Sequence, residues 1–114
     1  MAADLPEAEW RIFRKLQTAA LERFCERALS EMARTASESG ATNHERYLHV
    51  WKVMKERDKE LADAFNNPRR SDALRQLAWM QSPGLVTEDE MSRFSPETLQ
   101  RVRFILSLWE PETA

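Results

Sequence analysis

Glycine and cysteine are almost missing from this chain: in 114 residues there are two glycines, Gly40 and Gly84, and one cysteine, Cys25. Each scarcity excludes something. Sheets need a turn every 8–12 residues or so, usually marked by Gly, Asn-Gly or Pro-Gly, so two glycines argue against an all-β fold. They also cannot build a Gly-rich phosphate loop. One cysteine closes no internal disulfide. Only two histidines are present. His44 and His49 are five positions apart, about 140° round a helix axis, so they do not share a face as a zinc pair would. No run approaches the ~18 apolar residues of a membrane span, and the first ten residues carry acid without the apolar stretch of a secretory signal. The expectation is therefore a cytoplasmic chain with no metal and no cofactor. The net charge of −2 also lacks the basic excess typical of a dedicated nucleic-acid binder.

What the chain does have is helix-forming material. Ala, Glu, Leu, Arg, Lys, Gln and Met dominate, with four tryptophans and five phenylalanines to fill a core. The pattern predicts an all-α fold in a single domain, a bundle of four to five helices built on a long antiparallel helical hairpin.

The first helix is expected over about residues 6–37. Pro6 sits in its first turn, and Glu7 and Glu9 complement the positive end of its dipole. Phe13, Leu16, Ala20 and Phe24 make one apolar stripe, with Trp10, Leu21, Ala28 and Met32 beside it. Gly40 is read as the left-handed residue that ends it. The second helix is expected over residues 43–65, capped by Thr42 or Asn43. Tyr47, Val50, Trp51, Met54, Leu61 and Phe65 are read as its inward side, and the reverse face carries His49, Lys52, Glu56, Lys59, Glu60 and Asp63. Asn66-Asn67-Pro68 stops it. A third helix is expected over residues 70–81 with Leu74, Leu77, Ala78 and Met80 inward, ended by Ser82-Pro83-Gly84. A short fourth helix opens on a capping box from Thr87 to Glu90 and turns Met91 and Phe94 inward. The fifth opens on Ser95 with Pro96 at its first position, and its apolar side is Leu99, Val102, Ile105, Leu106 and Trp109. Short loops make the first two helices antiparallel neighbours.

Few constellations carry chemistry. Cys25 lies between Phe24 and Glu26, and an acidic neighbour disfavours a reactive thiolate, so no catalytic residue is assigned and no enzyme activity is expected. Asp58 falls on the apolar stripe of the second helix, at the angle of Trp51 and Phe65. It is read as a structural acid paired with Arg69, Arg70 or Arg75, as the polar group of a ligand pocket, or as a solvated side chain if the stripe is narrower. The basic residues from Lys52 to Arg75 are interleaved with acids, as on a solvated face. Trp79 and Trp109 look surplus to the core and are read as interface residues.

The function these readings favour is a non-catalytic protein–protein interaction module that self-associates or binds a protein partner. Two alternatives stand behind it: a DNA-associated regulator using the last two helices as a helix-turn-helix, with Gln100, Arg101 and Arg103 outward, and a small-ligand sensor with Asp58 in its pocket.

Overall fold

The structure, a computed structural model, describes residues 5–65 and 72–109. Five helices follow in order: α1 (Glu7–Ala36), α2 (Asn43–Phe65), α3 (Ala73–Gln81), α4 (Glu88–Met91) and α5 (Pro96–Trp109). Helix makes up 82% of the described residues, and no strand occurs among them. None of these helices is long and apolar enough to cross a membrane. The expected all-α class is what forms.

The described residues group into two compact units, 5–20 with 72–109 and 21–65. The long helix α1 supplies its N-terminal part to the first and its C-terminal part to the second.

The first unit holds most of the core. Phe13, Leu16 and Ala20 of α1 are buried, as are Ala73, Leu74, Leu77, Ala78 and Met80 of α3, Met91 of α4 and Val102 of α5. All but Ala73 are positions the helical periodicity singles out. The turns are built as the local chemistry requires. Gly84 has φ +76°, its N–H donates to the Gln81 carbonyl at 2.9 Å, and Leu85 N–H donates to the Met80 carbonyl at 2.9 Å. That pair of bonds closes α3 as a Schellman motif, with Leu85 tucked into the core. Thr87 and Glu90 cap α4 reciprocally. Ser95 Oγ accepts the Thr98 N–H at 3.2 Å at the start of α5. A longer connection runs from the first turn of α1, where buried Glu9 accepts the Ser95 N–H.

The second unit is a two-helix hairpin. Its helices meet at Phe24 and Phe65, whose ring centres are 6.0 Å apart, and at Glu31 and Arg57, with Arg57 Nε 3.2 Å from Glu31 Oε1. Near the connecting turn, Arg46 Nη1 donates to the last carbonyl of α1, Ala36 O, at 3.3 Å, and His49 Nδ1 lies 3.1 Å from Glu38 Oε2. Thr42, rather than Asn43, caps α2. Its hydroxyl accepts the Glu45 N–H at 3.1 Å and its own N–H donates to Glu45 Oε1 at 2.8 Å, a second capping box. Gly40 has φ +85° in the turn, the left-handed conformation expected of it, four residues after α1 has ended.

α3 is described from Ala73, and residues 70 and 71 lie outside the described residues. Two helix faces differ from expectation. Of the apolar side expected for α5, only Val102 is buried; Leu99, Ile105 and Leu106 are half-buried and Trp109 is exposed. The inward side of α2 is rotated. Tyr47, Trp51 and Met54 are exposed, Val50 and Leu61 are half-buried, and only Phe65 of the expected set is buried. The less exposed positions of α2 are Arg46, Val50, Val53, Arg57, Glu60, Leu61, Ala62, Ala64 and Phe65, and all but Ala62 and Phe65 fall within about 50° of one line along the helix. Val50, Val53 and Ala64 are the small apolar side chains on that line. Arg46 and Arg57 are half-buried on the same line, each with its Nε withdrawn from water.

Candidate functional site

The rotation of α2 determines where an unoccupied apolar surface lies. A helix with one neighbour covers only one side, and in the hairpin each helix has a single partner. With that line of α2 turned toward α1, the aromatic and Met side chains of the neighbouring stripe stay outside. Tyr47, Trp51 and Met54 are 69%, 51% and 47% exposed, and Leu29 of α1 is 65% exposed. The order of burial along the hairpin is informative. The buried apolar residues of this unit are Phe24, Ala28, Ala64 and Phe65, all at the end away from the connecting turn. Among the described residues from 29 to 59 no side chain is buried.

Between the helices this surface deepens into a groove of about 250 Å³. Phe24, Cys25, Ala28, Leu29 and Met32 of α1 line one side, and Met54, Arg57, Asp58 and Leu61 of α2 line the other, so the lining carries a charge of each sign. Tyr47 and Trp51 continue the α2 wall toward the turn, since positions 47, 51, 54, 58 and 61 lie on one stripe. Lys55 Nζ stands 5.0 Å from the centre of the Trp51 ring, a contact that leaves the other face of the indole open. The charges at the rims differ in sign. Exposed Glu22 and Glu26 border the α1 wall, and exposed Lys55 and Lys59 border the α2 wall.

The residues expected to form a site fall differently. Asp58 is exposed at the groove wall, not withdrawn from water, because the stripe it shares with Trp51 is itself exposed. Arg75 is engaged locally, its Nη2 3.0 Å from Asp72 Oδ1 three residues earlier. Arg69 and Arg70 lie outside the described residues. Trp79 is half-buried in the first unit, whereas Trp109 is 44% exposed beside Leu108 and on the same helix as exposed Phe104. The buried carboxylate that Asp58 was taken to be exists elsewhere, at Glu9. The signal for it was present, since Glu9 shares a stripe with Phe13, Leu16 and Ala20 at spacings of 4, 7 and 11.

The segment considered for DNA is crowded with acid. Glu88, Asp89 and Glu90 fill the first turn of α4 and Glu97 stands in that of α5. Arg101 Nη2 lies 3.1 Å from Glu97 Oε1 and Arg93 Nη2 3.7 Å from Asp89 Oδ2. Among the described residues no three His, Cys, Asp or Glu side chains converge as metal ligands would. The chain matches no protein-family model and shows no significant similarity to a curated protein or a solved structure.

Proposed function

We propose that this protein is a non-catalytic helical interaction module whose binding surface is the open face of the α1–α2 hairpin. The observation that supports the reading is the stripe of Tyr47, Trp51 and Met54, exposed next to the apolar groove. Large side chains left in water forgo burial worth roughly 1.5–3 kcal/mol each, and a contiguous patch of them marks a contact surface. Aromatic anchors of this kind carry much of the energy of protein interfaces. Trp109, with Leu108 and Phe104, offers a smaller second patch on α5.

A small-ligand role has one observation in its favour, the position of Asp58 in the groove wall. Such a groove would take an apolar group carrying a cation. Its volume is below the roughly 300–1,000 Å³ of ordinary ligand pockets, and it continues into a long exposed stripe, which suits a helix better than a small molecule.

The test is a comparison of the wild type with Trp51→Glu/Met54→Glu after crosslinking in host cells. The reading expects a specific protein adduct, to another protein or to a second copy, that the double variant loses while its circular dichroism stays helical. Equal adducts from a folded variant and the wild type would show that the hairpin face is not the binding surface.

A further inference from the structure

We infer that the occupant of the hairpin face is a second copy of this chain, docked so that α1 of one copy lies against α2 of the other in a four-helix arrangement. The inference rests on the interaction reading above and names its partner.

Three observations point to a second copy. The first is the missing core. From 29 to 59 the hairpin buries no side chain among the described residues, and a stable unit needs two packed layers round one core. A second hairpin is the layer of matching length and shape. The second is area. Aromatic side chains bury roughly 150–250 Å² each when fully covered, so Tyr47 and Trp51 at their present exposure have about 250 Å² still in water. Leu29, Met54 and the groove walls add a comparable amount. With the rims, the face reaches the order of ~800 Å² that each partner gives to a standard interface.

The third is charge. A two-fold interface uses one patch twice, so the patch must complement itself. Here the α1 rim is acidic, at Glu22 and Glu26, and the α2 rim is basic, at Lys55 and Lys59. A two-fold axis running along the helices brings the α1 rim of each copy to the α2 rim of the other, acid against base. It also keeps the levels along the hairpin. Since Phe24 sits beside Phe65 and Glu31 beside Arg57, Glu26 comes within about one turn of the level of Lys59. An axis across the helices would instead set α1 against α1 and place like charges together. Asp58, the one charged side chain in the stripe, has Lys55 a turn away on its own helix, at a spacing where side chains are neighbours.

The experiment uses the pure full chain. Sedimentation equilibrium across the micromolar range should give a dimer. Trp51→Glu should weaken its dissociation constant by about thirtyfold or more, the size of an interface hot spot, with circular dichroism showing that α1 and α2 remain. Glu26→Lys should weaken it by a smaller factor, and adding Lys59→Glu should restore it. A probe that needs no substitution is the thiol of Cys25 in the groove wall, whose alkylation should slow as protein concentration rises through the dimerisation range. A monomer at all concentrations overturns the inference. In that case a partner captured in cells through Trp51 and Met54 would leave the interaction reading standing. A dimer unaffected by Trp51→Glu, or a charge swap that fails to restore it, also overturns the inference.

Discussion

Glu9 and Ser95, 86 positions apart in the chain, are joined by a hydrogen bond of 2.8 Å from the Ser95 N–H to Glu9 Oε1. The bond fastens the first turn of α1 to the N-cap of α5. Glu9 is 8% exposed, and its second oxygen lies 3.5 Å from Ser95 Oγ, which in turn stands 3.1 Å from Thr98 Oγ1. A buried carboxylate survives only where donors surround it, and here the donors come from a helix start whose N–H groups have no partner within the helix.

Glu9→Ala should therefore cost about 1.5–3 kcal/mol, the range for a hydrogen bond to a charged group whose loss leaves a buried donor unmet. Urea unfolding of the two proteins checks it. Glu9→Gln, which keeps one acceptor oxygen, should recover part of the loss. A change below ~0.5 kcal/mol for Glu9→Ala would mean that water replaces the carboxylate without cost.

Asp58→Ala should behave in the opposite way. The side chain is exposed, and surface substitutions away from caps and networks usually stay within ±0.5 kcal/mol or so. Measured at a concentration where the protein is monomeric, its unfolding midpoint should match the wild type. A loss of several kcal/mol would restore the buried ion pair that the periodicity of α2 suggests.

The contrast between these two acids shows what the sequence could tell. Helix positions, caps and the core of the first unit follow from local rules: Phe13, Leu77, Met80 and Val102 recur at helical spacing, and Thr87 with Glu90 writes out its own capping box. Those rules compare a residue with its neighbours in the chain. Which side of α2 meets α1 is a different question, settled by tertiary contacts. Val50 and Val53 are half-buried and Ala64 buried, while Tyr47, Trp51 and Met54 stay exposed. Hydrophobicity alone ranks the two stripes in the wrong order. The burial of Glu9 was legible from its spacing to Phe13, Leu16 and Ala20, but its position in the first turn supplied a sufficient local reason, the helix dipole, that hid the tertiary one. The ion pair sought for Arg75 went to Asp72, because a partner three residues away is reached without long-range folding.

Gly40 offers a test of backbone strain in isolation. Its φ is +85°, and no atom lies within 4 Å of where a Cβ would be placed. Gly40→Ala should thus destabilise the hairpin through conformation alone, by about 1–2 kcal/mol, with no repacking. Gly40→Asn, which tolerates the left-handed region better, should cost less than Gly40→Ala. Thermal unfolding of the three proteins gives the order directly, and equal midpoints would mean that the turn relaxes to a negative φ.

The cap of α2 predicts a pH dependence. Glu45 is held below the ordinary glutamate pKa of about 4.3, first by the hydrogen bond from the Thr42 backbone N–H and then by the Thr42 hydroxyl. The sign follows from linkage. A carboxylate whose folded pKa is depressed contributes its stabilisation in full above the unfolded value and loses it as pH falls through the folded value. The capping box should accordingly be intact at neutral pH and fail only in the acid range, below the pKa of a free glutamate. Protonation weakens the charge-assisted bond from the Thr42 N–H and loosens the first turn of α2, the turn that leads into Tyr47. In a titration followed by NMR, the Thr42 amide resonance should move with a midpoint below that of a free glutamate, and Glu45→Gln should abolish that movement. Because Glu45 is fully in water, global stability at pH 7 should change little in that variant. A Thr42 midpoint above the free-glutamate value, or an unchanged titration in Glu45→Gln, would show that another acid controls the cap.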